Sequence, residues 1–212
     1  VTEQQSARPH DRRRSGGRAA RREERREEIL RAAMEVIAER GYEGTSLAAV
    51  AERAGLTQAG LLHHFPSKEQ LLIGVLEARD RWDVQAAGGP PEHWNLDLLA
   101  QLVEYNAARP SIVQTFAVLS GGSVAEHAPA RAFFTERYAR VRSGLAEAVR
   151  AEFGEGGEGL PAGLAPEQVA PLMAAVLDGL QVQWLLAPDA VDMPSAFTDF
   201  LRLLRAAGTP QV

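Results

Sequence analysis

The sequence predicts an all-α fold. Apolar residues recur at helical spacing between Ile29 and Leu204, and Gly- and Pro-rich clusters punctuate them. No stretch shows the alternation of a half-buried strand, and no internal repeat is evident. With 212 residues, 45% of them hydrophobic and 24% charged, the chain is long enough for one large or two small domains with a substantial core.

Residues 1–22 read as a flexible basic arm, because residues 1–26 hold nine Arg against four acids and show no apolar stripe. The first helix follows. Ile29, Ala33, Val36 and Ile37 fall on one face, and Gly41 suits its C-terminal turn. Thr45 or Ser46 can cap a short second helix from Leu47 to Ala54. Gly55 permits the turn after it, and Thr57 can cap a third helix that Pro66 stops. Ser67-Lys68-Glu69-Gln70 has the form of a capping box for a fourth helix reaching about Ala87.

Gly88-Gly89-Pro90-Pro91 is a break. Helices are expected again from about Leu96, ended or kinked at Pro110, and around Ile112 to Leu119, ended by Gly121-Gly122. A long helix from about Pro129 to Phe153 carries Phe134, Tyr138, Val141, Leu145 and Val149 on one stripe. Pro166 suits the first turn of a helix reaching Leu186, and Phe197, Phe200, Leu201 and Leu204 mark the last. The expected division is a basic arm over 1–22, a three-helix unit over 23–70 and a helical domain over 71–212.

No apolar run approaches the roughly 20 residues of a membrane span, so no membrane is expected. The early arginines have no apolar segment behind them and make a poor secretory signal, which points to the cytoplasm. The absence of cysteine excludes a disulfide framework, a thiolate metal site and a cysteine nucleophile. The net charge of −5 argues weakly against nucleic acid until it is resolved along the chain. Residues 71–212 carry ten Arg against seventeen acids, so the basic charge lies at the start.

The segment from Leu47 to His64 carries the most information. Val50, Ala51 and Ala54 put small or apolar side chains on the inner face of one short helix, Gly55 turns the chain, and Leu56 and Leu61 close the corner. This spacing fits a helix-turn-helix, whose second helix enters the major groove, and equally an ordinary corner between two helices. The wider run resolves the choice. Thr45-Ser46-Leu47-Ala48-Ala49-Val50-Ala51, Ala54-Gly55-Leu56-Thr57 and Gly60 through Leu72 resemble the DNA-binding domain of the tetracycline-repressor (TetR) family, without gaps over residues 29–72.

That resemblance implies a dimeric transcriptional regulator, most simply a repressor. A three-helix unit would bind palindromic operator DNA, a fourth helix would link it, and a variable C-terminal helical domain would dimerise and hold a small, largely apolar effector. It places Gln58, Ala59 and Gly60 at the base-reading start of the third helix. There Gln58 could bridge adenine N6 and N7, or be merely a solvated helix-start residue. Thr45, Thr57 and Lys68 fall at phosphate-donor positions, although both threonines are also good caps. Leu62 and His63 stand where the family often has tyrosine, which removes a hydroxyl contact that His63 could replace. His64 completes the DNA-facing set. Adjacent histidines diverge by about 100° on a helix and no third ligand has suitable spacing, so no metal is expected. No cofactor is implied.

Between Val169 and Leu186 the chain is apolar nearly all round and needs cover on two sides. The helix is either the core of a monomer or, with the last helix, half of an intersubunit four-helix bundle. Pocket candidates are Trp94, Phe116, Phe134, Tyr138 and Trp184, with His93, Asn106, His127, Asp178 and Gln181 as polar anchors. An enzyme is disfavoured because phosphate loop, nucleophile elbow and zinc-helix signatures are all missing. A helical protein-interaction module, or a DNA-binding protein without a ligand, remains as the alternative.

Overall fold

The computed structural model describes residues 9–86, 88–90, 93–157, 159–160 and 163–207. Among them are nine helices and no strand: α1 (Pro9–Gly44), α2 (Leu47–Arg53), α3 (Gln58–His64), α4 (Lys68–Ala86), α5 (Leu96–Ala107), α6 (Pro110–Gly122), α7 (Arg131–Phe153), α8 (Pro166–Leu186) and α9 (Met193–Ala207).

The start of α1 corrects the expected arm. Residues 9–22 are helical rather than flexible; residues 1–8 lie outside the described residues. Over residues 21–28 Arg and Glu, both good helix formers, are interleaved at short spacing and support each other across a turn, as Arg25 and Glu28 do at 2.7 Å. The helix breaks at Gly41, whose φ of 68° lies in the left-handed region. Two further boundaries fall where the breakers stand. α5 stops short of Pro110, which opens α6, and α6 ends at Gly122 with Ser123 as its C-cap.

Two cores organise the chain. The first joins Ile29, Ile37, Val50, Leu61 and Phe65 to Leu71, Leu72, Val75 and Leu76 of α4, and extends to Phe116 and Leu119 of α6 and Phe134 of α7. The second packs Leu96 and Leu99 of α5, Leu145 and Val149 of α7, Met173 of α8 and Phe197 and Leu201 of α9. The expected division between residues 70 and 71 therefore cuts a continuous core. The first half of α4 is apolar on the face turned to α1 and belongs with the N-terminal unit. α6 is fastened to the same unit by Gln114 Nε2, which donates to the Ala38 carbonyl at 2.9 Å, and by Thr115, which donates to the Met34 carbonyl.

By length and composition α8 could cross a membrane, contrary to the sequence expectation, since Glu167 and Asp178 are its only charged residues. It lies packed against α7 and α9 instead, with Met173 and Ala174 buried and Asp178 hydrogen-bonded to Tyr138. Leu172, Val182 and Leu186 of α8 and Leu203 of α9 face outward, Leu186 at 81% and Leu203 at 70% exposure.

Candidate functional site

Two short helices and a tight turn build the outer site. Ser46, not Thr45, caps α2, its Oγ accepting from the Ala49 N–H at 3.1 Å. Gly55 turns the chain with φ 67°, and the Leu56 N–H then donates back to the Ala51 carbonyl at 2.8 Å. Thr57 caps α3 by accepting from the Gly60 N–H at 3.1 Å. A Cβ on Gly60 would lie 3.3 Å from that Thr57 oxygen, so a small residue keeps the cap uncrowded. Arg53 ties α2 to α1 through Glu35 at 3.0 Å and Glu39 at 2.9 Å. Its hydrogen bonds hold the Glu39 carboxyl below the ordinary value and raise Arg53 above its own.

On α3 the inner residue Leu61 is fully buried, with Phe65 just beyond it, and Gln58, Ala59, Leu62 and His63 are exposed. Phe65 seats against Gly74 of α4. Arg26 lies 4.1 Å above its ring and donates to the His64 carbonyl at 3.1 Å. His64 is half-buried; burial, then the charges of His63, Arg22, Arg26 and Arg25, push its imidazole below the ordinary value. Thr45 does not fit the phosphate-donor role: it is buried, and its hydroxyl donates to the Gly41 carbonyl at 2.7 Å, an acceptor exposed by the break in α1. Lys68 is half-buried, 4.3 Å from the Tyr42 ring centre, and donates to the Glu43 carbonyl at 3.3 Å.

A second site lies between α4, α5, α6, α7 and α8. It holds about 60 Å³ of space accessible to water, room for a few molecules. It adjoins a hollow of about 290 Å³, with which it shares Asp83, Trp94, Leu102, Arg137 and Val141 as a common wall. Arg79, Asp83, Asn106 and Gln181 of its lining are buried, and Arg137, Tyr138 and Asp178 are half-buried. Arg79 is 4% exposed and pairs with Asp83 at 3.2 Å. The guanidinium carbons of Arg79 and Arg137 lie 3.7 and 4.3 Å from the Phe116 ring centre. Tyr138 donates to Asp178, and burial together with that carboxylate pushes its phenol well above the ordinary value. Burial pulls Arg79 the other way, below its ordinary value.

Of the expected pocket residues, Trp94, Phe116, Tyr138, Asp178 and Gln181 line this cavity, as does Asn106. Phe134 does not. It packs behind Phe116, ring centres 5.3 Å apart, because its place on α7 turns it toward the first core. Trp184 sits against the second core near the end of α8, beyond the cavity. His93 is exposed beside Gly89, and His127 lines a different groove between the end of α1 and α6. Arg79, Asp83 and Arg137 were not anticipated. The first two had a signal: they continue the buried stripe of Leu72, Val75 and Leu76 at helical spacing, and a charge on such a stripe needs a buried partner.

Residues 29–75 match the family of bacterial regulatory proteins of the tetR type, and residues 95–206, more than half the chain, match the C-terminal domain of BetI-type transcriptional repressors. The chain is 30% identical over 185 residues to the regulator ArpR of Pseudomonas putida, covering 78% of this chain and 82% of that protein. A TetR-family regulator from Rhodococcus sp. superposes with a TM-score of 0.66 at 27% identity, covering 86% of this chain and 99% of its own. A transcriptional regulator from Saccharomonospora viridis, solved with choline, gives a TM-score of 0.66 at 23% identity over 85% and 96% of the two chains. The helix-turn-helix over α2 and α3, the helical domain behind it and these matches along the chain agree: it belongs to the TetR family of helix-turn-helix transcriptional regulators.

Proposed function

We propose that this protein is a dimeric repressor that binds a palindromic operator through α3 and releases it when a small, largely apolar effector enters the cavity behind α4. One observation carries this reading: α4 serves both sites. Its first half, Leu71 to Ala78, belongs to the core that holds α3, and its second half supplies Arg79 and Asp83 to the cavity wall. A ligand that shifts α4 therefore shifts the recognition helix. The duplex fixes the spacing of its grooves at about 34 Å per turn, so a dimer with displaced recognition helices loses one half-site. For release, the effector must bind the displaced state more tightly than the operator-competent one.

On DNA, Gln58 reads a base edge, Ala59 and Gly60 allow close approach, and Thr57, His63 and Lys68 face phosphates. Leu62 and His64 flank the contact, and Thr45 acts only in the fold. The partner subunit covers the outward apolar face of α8 and α9. The choline bound to the Saccharomonospora viridis regulator supports a small molecule as effector in this fold.

Footprinting of the adjacent promoter, followed by anisotropy titration of the protected duplex, tests the reading. Gln58→Ala should cost about 1–3 kcal/mol and relax base preference at one position of each half-site. Equal losses on operator and random DNA would remove Gln58 from base reading.

A further inference from the structure

We propose that the cavity selects an effector with an anionic head, a carboxylate on an aromatic or aliphatic body, and that Arg79 is its anchor. This rests on the cavity being the effector site.

Arg79 is a buried cation with incomplete partners. Its Nη2 lies 3.2 Å from Asp83 Oδ2, whereas Nε and Nη1 have no hydrogen-bond acceptor among the described residues. A buried donor without an acceptor carries its full desolvation penalty, and the penalty is larger when the group is charged. The other acids near the cavity are already committed. Asp80 is paired with Arg137 at 2.7 Å and Arg140 at 3.3 Å, and Asp178 accepts from Tyr138. Asp83 Oδ1 is also without a hydrogen bond and has Arg109 Nη2 3.8 Å away, so two unpartnered Arg79 donors face a single unpartnered acceptor. The wall has donors in excess, and a carboxylate supplies the missing acceptors in their strong, charge-assisted form.

The same geometry disfavours a cation. The Phe116 ring, which a quaternary ammonium would use, already has two guanidinium groups against it, at 3.7 and 4.3 Å. Leu102, Val103, Leu145 and Leu177 supply apolar wall for the body of the ligand. Because the anchor sits on α4, a head group drawn to Arg79 acts on the helix that carries the recognition unit, so selectivity and release share one side chain.

Calorimetric titration of the full-length protein with 2-naphthoate, its neutral isostere 2-naphthamide and the cation 2-naphthylmethylammonium tests the proposal. The carboxylate should bind at least tenfold more tightly than the amide, and the cation more weakly than both. Arg79→Met should abolish the tenfold preference and Arg79→Lys should keep part of it. Arg79→Met leaves the buried Asp83 with only the more distant Arg109, 3.8 Å away, so R79M/D83N, which removes both charges of the pair, repeats the test without an unbalanced carboxylate. Equal affinity for the three compounds, or a preference for the cation, would overturn the anionic selectivity and leave the effector cavity standing. Preference for the carboxylate that survives in R79M/D83N would overturn Arg79 as anchor. Absence of binding by all three at millimolar concentration would overturn both statements.

Discussion

The Thr115 hydroxyl lies 2.8 Å from the carbonyl of Met34, a residue 81 positions away, and 2.9 Å from the Ser111 carbonyl one turn back on α6. Its one proton is shared between a bond that joins α6 to α1 and a bond internal to α6. The next residue, Phe116, lines the cavity. α6 thus forms a second link, beside α4, between the cavity and the DNA-reading unit. Thr115→Val keeps the shape and removes the bond. It should cost about 1 kcal/mol in urea unfolding, and the variant should retain operator binding while responding less to effector. An unchanged effector response would leave α4 as the sole link.

Gly74 and Phe65 are in close contact: a Cβ on Gly74 would stand 2.8 Å from Phe65 Cε1 and 3.2 Å from Leu30 Cδ2. Phe65 is rigid and buried, so neither neighbour has an easy retreat. Gly74→Ala should destabilise the protein by about 1–3 kcal/mol through overpacking, despite alanine's better helix propensity. A melting temperature equal to or above that of the parent would show that the ring has room to move.

His64 links stability to pH. Burial and the nearby positive charges favour its neutral form, so its folded value lies below the ordinary 6.5. Between the two values the unfolded chain binds more protons than the folded protein, so stability rises with pH through that window. This contribution is fully present above about pH 6.5 and is lost as pH falls through the lower, folded value. The melting temperature should drop between pH 7 and pH 5.5, and His64→Gln should flatten that part of the curve. The same slope in both proteins would assign it to another group.

Leu186 and Leu203 present large apolar side chains to solvent, at 81% and 70% exposure, on the adjacent helices α8 and α9. If a second subunit covers them, the double variant Leu186→Glu/Leu203→Glu should sediment as a monomer, keep its helical content and lose cooperative operator binding. A double variant that remains dimeric would place the interface elsewhere.

Much of the N-terminal unit was legible in the sequence because local rules fix it. Gly41 and Gly55 have the positive φ expected of them, and Thr57 caps α3. Thr45 is buried and its hydroxyl is held four residues back by the Gly41 carbonyl; that burial comes from how α1 and α2 pack, which its spacing alone does not show. The same applies to the cavity. Phe134 and Tyr138 share a helix face one turn apart and both pack against the first core, yet only Tyr138 reaches the cavity, a difference of position along α7 that their shared spacing does not show. Arg79 and Asp83 were readable in principle, as charges on a buried stripe, but an i,i+4 pair of opposite charge on a helix is equally the pattern of a solvated face.

Effector release requires the cavity and the recognition helix to be coupled. The direct measurement is calorimetric titration of a cavity ligand, 2-naphthoate or whichever probe binds, into the free dimer and into the dimer saturated with operator DNA. Linkage requires operator to weaken the ligand by the factor with which the ligand weakens operator, a coupling of about 1–3 kcal/mol or roughly 5- to 150-fold in affinity. The structure predicts a loss in that range, because both ligands act on α4. Equal affinity in the two titrations would contradict that coupling and leave a DNA-binding protein whose cavity does not govern it.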